Sequence, residues 1–369
     1  MKEGFLERKL SERRQQDAFR QLRVTEGMVD FCSNDYLGIA HGHKLAPYMD
    51  HSHNGHGSAG SRLLAGNTAF ALEVEAMIAR FHEGEAALIY NSGYDANLGL
   101  LSSVAQKADT IIYDQLSHAS IRDGIRLGFA QSFSFRHNDV EDLEKKLASV
   151  KGEGEVFVVT ESVFSMDGDQ APLAAIVALC KRYNAHLIVD EAHGFGVIGD
   201  RGEGLLHSLG IHQEVFARVY TYGKAAGVHG ASVVGSRLLK DYLVNFSRSL
   251  IYTTALPPVA IDAIRCAYQL IPQLQAERQQ LGELIQCFRN ASIPFQKLDS
   301  YTPIQGVVVP GNEAARKVAS SLAEKGMDSR AILYPTVPKG GERLRIVLHA
   351  FNTVEQINDL LTVLAGAGQ

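Results

Sequence analysis

Five short apolar runs, each closed off by polar residues, constrain this chain more than any other feature. They are AALIY (86–90), TIIY (110–113), EVFVVT (155–160), HLIVD (186–190) and VFARVY (215–220). Runs of this length suit strands covered on both faces, as in a parallel sheet. Helical stretches separate several of them, such as DVEDLEKKLAS (139–149) and LAAIVALCKRYN (173–184). Upstream, Val74, Met77, Ile78 and Phe81 form an i, i+3, i+4, i+7 stripe that predicts a helix over 69–82. The alternation predicts an α/β fold built on an open, mostly parallel sheet flanked by helices.

A chain of 369 residues is too long for one small core, so two domains are expected. After a Pro-Pro break, LPPVAIDAIRCAYQLI (256–271) continues as a long helix. Helices are expected over 313–325 and 353–365, with strands over 328–333 and 343–348. This α+β pattern predicts a smaller C-terminal domain, 256–369, after a large domain, 46–255, and an N-terminal helix and segment, 1–45. The opening MKEGFLERKLSERRQQDAF mixes acids into an amphipathic helix and is no signal peptide; it is expected to pack on either domain.

A net charge of −5 leaves no electrostatic footprint for nucleic acid. No apolar stretch approaches the ~20 residues a membrane span needs. Cys32, Cys180, Cys266 and Cys287 are scattered without a C-x-x-C pair, which suits reduced thiols in a cytoplasmic protein.

Ligands of open parallel sheets bind at the carboxyl ends of the strands. There the sequence places NSGYDAN, DQLSHAS with His118, ESVFSMDGD with Ser165, Asp190 followed by His193, and Thr221 followed by Lys224. Lys224 stands among Gly223, Ala225, Ala226 and Gly227 in TYGKAAGVHG (221–230). A lysine becomes a covalent catalyst by forming an imine with an aldehyde. Pyridoxal 5'-phosphate (PLP) supplies that aldehyde on a flat ring, and small neighbours would leave the ring room. A carboxylate such as Asp190 can keep the ring nitrogen protonated. His118 can stack on the ring, and the N–H groups at Ser92-Gly93-Tyr94 can bind the phosphate.

Other motifs fail their context tests. DEAH (190–193) lacks a companion phosphate loop, and GFGVIG (194–199) neither follows a strand directly nor opens a helix. HSHNGH (51–56) has no carboxylate beside it and is expected to be a solvated loop; no metal site is expected.

Nine segments together resemble the α-oxoamine synthases, a family of fold-type I PLP enzymes. They are FCSNDYLGIA, GSAGSRLLAGNT, NSGYDAN, DQLSHAS, ESVFSMDGDQAPL, LIVDEAHGFGVIGDRGEG, TYGKAAGVHGA, IYTTALPP and YPTVPKGGERLRI, in the family's order across nearly the whole chain. The resemblance implies that Lys224 holds PLP and moves protons, that Asp190 pairs with the ring nitrogen, and that His193 bonds the ring's phenolic oxygen. It implies His118 stacked on the ring, with Ser165, Gly93, Tyr94 and Thr221 around ring and phosphate. Thr253 and Thr254 would reach the phosphate from a neighbouring subunit of a homodimer. Arg345 would grip the amino-acid carboxylate, Asn34 would face substrate, and Arg20 and Thr336 would lie near the acyl group. PTVP (335–338) and RRQQDAFR (13–20) resemble the members that condense L-alanine with pimeloyl-CoA or pimeloyl-acyl carrier protein. Relatives that use glycine are the nearest rivals, with aminotransferases next.

Overall fold

A computed structural model describes residues 3–16, 19–22, 24–53 and 55–367. The chain divides into two units. The larger holds Asn34–Ser165 and Gln170–Arg278, and the smaller holds Met1–Ser33, Met166–Asp169 and Gln279–Gln369.

The larger unit is built on seven strands: β1 (Ala86–Tyr90), β2 (Thr110–Asp114), β3 (Gln131–Phe135), β4 (Val156–Glu161), β5 (His186–Asp190), β6 (Ala217–Thr221) and β7 (Ala231–Gly235). Their spatial order is β1-β7-β6-β5-β4-β2-β3. All pairings are parallel except those of β7, which runs antiparallel to both β1 and β6. The apolar runs are continuous because both faces are covered. Ile111, Phe157, Val159 and Ile188 enter one core, beside Leu100 and Ile121 of two helices. Their chain neighbours Ile112, Val158, Leu187 and Val189 enter the opposite core, beside Leu143, Leu147, Ile176 and Leu206. Adjacent strand residues thus alternate sides, the two-residue period of a pleated strand.

Two strands carry no long apolar run. β3 is QSFSF at the sheet edge, exposed along four of its five residues. Because an edge strand buries little, its composition stays polar. β7 is ASVVG, whose small ends give a weak signal although four of its residues are buried.

The expected domain border at 256 is displaced. Helix Pro258–Leu270 belongs to the larger unit, where Ile261, Ile264 and Tyr268 are buried. Val259 N–H donates to Gly55 O at 3.2 Å, and Tyr268 Oη lies 2.9 Å from His82 Nε2. Conversely, residues 34–45 join the larger unit rather than an N-terminal segment.

The smaller unit carries a four-stranded antiparallel sheet in the order Arg330–Ile332, Arg343–Val347, Ile304–Val308, Gln296–Lys297. Val29–Asp30 pairs in parallel with Met327–Asp328. Helix Val354–Gly366 opens on a capping box between Thr353 and Gln356. Helix Gly4–Gln15 forms as expected but buries none of its residues.

Candidate active site

Because β1, β2, β4, β5 and β6 all run in one direction, their carboxyl ends share one edge of the sheet. β6 ends at Thr221, and Lys224 follows in a loop that returns at once as β7. Tyr222 N–H bonds Gly230 O at 2.9 Å and Val228 N–H bonds Tyr222 O at 3.0 Å, closing the loop on both flanks.

The small residues of this loop serve mostly a purpose other than the expected room for a ring. Ala225 and Ala226 are buried. A Cβ on Gly196 would come within 2.6 Å of Ala225 Cβ, so that pair is closely packed. Gly227 has φ +65°, and a Cβ there would lie 2.8 Å from Ala40 N. These positions are small because the chain's own backbone passes against them. Gly223 alone faces open space, its nearest contact being Val228 O at 3.8 Å.

Lys224 Nζ lies 2.7 Å from His193 Nε2. His193 Nδ1 lies 2.6 Å from the hydroxyl of Tyr36, and that hydroxyl donates to Asn34 Oδ1 at 3.2 Å. One proton arrangement satisfies the series: the ammonium donates to Nε2, Nδ1–H donates to the tyrosine oxygen, and the phenol donates to the amide. Lys224, His193 and Asn34 were expected at the site. Buried Tyr36 was not singled out, although it stands in the quoted segment FCSNDYLGIA.

Asp190, the last residue of β5, is buried. Its Oδ2 accepts from Asn97 Nδ2 at 2.7 Å and its Oδ1 from Ala192 N–H at 2.9 Å. Asn97 also donates to Ser120 Oγ at 3.1 Å, and that oxygen lies 2.8 Å from His118 Nδ1. His118 caps the helix Ala119–Leu127. Partial burial, with the charges of Lys224 and Arg122, draws the pKa of its imidazole below the usual histidine value, against the opposing pull of Asp190.

Glu161 pairs in register with Asp190 across β4 and β5, and its Oε1 accepts the His118 N–H at 2.6 Å. Burial first, and the charge of Asp190 second, push its pKa up to about 8. Of the two buried neighbouring carboxyls, Glu161 therefore keeps its proton at neutral pH. Glu191, the next residue, is held apart from this pair. It accepts from Ser162 Oγ at 2.6 Å and from the N–H groups of Leu205 and Leu206 at 3.1 and 2.7 Å.

The raised pKa gives a pH-dependent stability. In the folded chain Glu161 holds its proton up to about pH 8, whereas a free glutamate releases it near 4.5. The group's contribution is complete below the unfolded value and is lost as pH rises through the folded one. Glu161→Gln keeps an acceptor for His118 N–H and removes this loss. In thermal melts of the cofactor-free protein, its melting temperature should gain on the parent's from pH 5 to pH 8 and hold steady above. A constant difference across that range would contradict the assignment.

Helix Gly93–Val104 begins where β1 ends. Ser92 caps it, its Oγ accepting Asp95 N–H at 3.1 Å. A Cβ on Gly93 would fall 2.1 Å from Thr221 Oγ1, so the helix start sits directly against the end of β6. The first N–H groups of a helix lack intrahelical acceptors and favour an anion. Tyr94 Oη donates to Asp123 at 2.5 Å. Ser165 is half-buried in the turn after β4. Thr253 Oγ1 accepts from Asn91 Nδ2 at 3.0 Å within this chain, and Thr254 is exposed beside it.

Three expected residues lie in the smaller unit. Arg345 is half-buried in the strand Arg343–Val347, paired with Gly306 and Arg330. Thr336 is exposed, its N–H bonded to Leu333 O at 2.8 Å, and Arg20 is exposed. Besides Tyr36, the residues overlooked in the sequence are Asn97, Ser120 and Glu161. Asn97 ends the quoted segment NSGYDAN and Glu161 opens ESVFSMDGDQAPL, but their roles come from contacts across strands.

The profile of the aminotransferase class I and II family matches residues 26–364. The 8-amino-7-oxononanoate synthase of Emericella nidulans is 40% identical, covering 96% of this chain and 93% of its own. That of Chromobacterium violaceum is 42% identical, covering 91% and 88%. Among solved structures, a serine palmitoyltransferase from S. paucimobilis with bound PLP and myriocin superposes with a TM-score of 0.92 at 28% identity, covering 100% of this chain and 97% of that one. With its lysine, buried aspartate and histidines gathered on one sheet edge, the chain belongs to the aminotransferase class I and II family, where its similarity runs to the 8-amino-7-oxononanoate synthases.

Proposed function

We propose that this chain is a PLP-dependent acyltransferase that condenses L-alanine with pimeloyl-CoA or pimeloyl-acyl carrier protein. The products are 8-amino-7-oxononanoate, CO2 and the free thiol, a step of biotin synthesis. One observation carries the reading: Lys224 Nζ is hydrogen-bonded to His193 while buried Asp190 is fixed by Asn97 on the same strand edge.

The donor set fits PLP. An amine, two buried carboxyl groups, two imidazoles and a helix start are gathered on one edge. When bound, PLP supplies an aldehyde for an amino group and a protonated ring that accepts electron density. Asp190 would hold the ring nitrogen protonated, and neutral Glu161 would not compete for that proton. His118 would stack on the ring, and His193 and Ser165 would bond its oxygen. The N–H groups of Gly93 and Tyr94, with the hydroxyl of Thr221, would hold the phosphate. Arg345 would bind the alanine carboxylate, Asn34 would face the substrate, and Arg20 and Thr336 would border the acyl chain.

Lys224 Nζ would take the α-proton of alanine and later return one. His193 accepts the hydrogen bond of its ammonium form, so the proton has a place to rest. Aligning both substrates is worth at best ~7–11 kcal/mol of barrier. The working form would be a homodimer, with Thr253 and Thr254 facing the neighbouring subunit. Exposure of Thr254 and Tyr252 on this chain supports that reading. The scattered free cysteines agree with a cytoplasmic site.

Mass analysis after mixing the PLP-loaded enzyme with L-alanine and pimeloyl thioester should find 8-amino-7-oxononanoate, with thiol and CO2 released in equal amounts. Faster thiol release with glycine and acetyl-CoA or succinyl-CoA, or with L-serine and palmitoyl-CoA, would assign the chain to another acyl-condensing enzyme. Consumption of a 2-oxo acid without CO2 would make it an aminotransferase.

A further inference from the structure

We propose that Glu83, His207 and His212 form a binding site for a divalent transition-metal ion of the zinc class, on the sheet edge opposite Lys224. Among the described residues, they are the one group of three or more metal-ligating side chains whose ligand atoms converge, all within 4.8 Å of one another. His212 Nε2 lies 3.0 Å from Glu83 Oε2. The rings of His207 and His212 stack at 3.8 Å between centroids, only 9° from parallel.

His207 supplies an independent observation. Both of its ring nitrogens are buried and neither has a hydrogen-bond partner, and the same holds for Nδ1 of His212. Buried polar atoms are nearly always paired. An imidazole carries at least one N–H and, when neutral, one lone pair, so two orphaned nitrogens leave a ligand position unfilled.

The framework holds the three groups together. His207 lies in the short helix Leu205–Ser208 and His212 in the turn His212–Glu214, joined through Gly210 at φ +68°. Glu83 follows helix Ala69–Phe81 with φ +50°, and its carbonyl accepts from Gln213 Nε2 at 2.6 Å. That bond clamps the glutamate backbone to the histidine turn. Its neighbour His82 is fully buried and stacks on Tyr220 at 3.6 Å, which fixes the near wall.

Two imidazoles and one carboxylate are the ligands of zinc, cobalt or nickel rather than of calcium or magnesium, which take oxygen. Water would complete a tetrahedron. Bonds of ~2.1 Å would place the ligand atoms ~3.4 Å apart, so binding would draw the group in by about an ångström and turn the two rings out of their parallel stack until both in-plane lone pairs meet the ion. The Glu83 side chain is mostly exposed and free to make that movement.

The site would be structural. Glu83 precedes β1 and His212 precedes β6, so both lie at the amino ends of parallel strands, whereas Asp190 and Lys224 follow carboxyl ends. A strand of five residues separates the edges by ~17 Å. The metal would tie the entry of β6 to the entry of β1 without touching substrate.

Titrating the full-length, PLP-loaded enzyme with Co2+ should give one equivalent of binding with visible d–d absorption, displaced by Zn2+. Zn2+ should raise the melting temperature and EDTA should reverse the rise, with turnover changed less than twofold. His207→Gln and Glu83→Gln should each lose this equivalent and the shift, whereas His53→Ala, in the histidine-rich loop, should keep both. Glu83 is at the surface, so its variant decides the matter if His207→Gln does not fold. Absence of d–d absorption in the parent enzyme, or equal uptake by parent and Glu83→Gln, would overturn the proposal.

Discussion

Lys224→Ala is expected to remove most turnover, lowering kcat by ~10²–10⁴-fold, the range that a positioned proton-transfer group supplies. The loss should be chemical. The loop's backbone is fixed by Tyr222, Gly230 and Val228, and its packing by Ala225 and Ala226, so removing one half-buried side chain leaves the fold in place. His193 would keep its bond to Tyr36 and lose only its donor from the lysine. Cofactor should still bind but dialyse away, and borohydride should no longer add its mass to the chain. The measurements are kcat and the mass of the reduced protein. A variant that retained covalent cofactor after reduction would place the attachment at another lysine.

Asp190→Asn is expected to lower kcat by ~10²–10³-fold, as removal of one preorganised electrostatic partner does elsewhere. Its effect on stability should be small, because two changes oppose. The asparagine amide must turn its NH2 toward either Asn97 Nδ2 or Ala192 N–H, so one of the two bonds is lost, at ~1–3 kcal/mol. Against this, Glu161 loses a buried negative neighbour, and its proton becomes easier to release. Kinetics and melting should therefore separate: a large fall in kcat with little movement of the melting temperature. The double exchange Asp190→Asn with Asn97→Asp keeps a carboxylate in the pair but off the strand end, and should not restore kcat. Recovery in the double variant would show that any charge in this pocket suffices.

Much of this architecture can be read from the chain because burial on both faces leaves a plain mark. AALIY is apolar end to end and HLIVD is apolar between its polar ends, and each becomes a strand. QSFSF leaves none, since an edge strand has little to bury. Lys224, His193 and Asp190 are legible because strand ends are where a parallel sheet offers side chains to ligands. Tyr36, Asn97 and Glu161 are harder, since their partners come from other segments: Tyr36 and His193 are 157 residues apart, and Asn97 and Asp190 are 93 apart. Tyr222 stands two residues before the lysine. It is buried, with its hydroxyl on Ser232 at 2.5 Å and on Tyr268 at 3.2 Å, and so belongs to the core. HSHNGH clusters three histidines in the sequence, yet His53 stacks on Phe70 and the converging pair lies elsewhere. Glu83 and His212 are 129 residues apart, and only folding brings them together.

The contact between Gly93 and Thr221 binds the history of one position to that of the other. Any lineage that enlarges residue 93 must first shrink residue 221, and a shrunken 221 surrenders its hydroxyl. Neither single step is neutral, so drift should leave this pair alone while the surface around it diversifies. Libraries built to alter substrate choice will waste variants at 93 unless 221 is randomised with it.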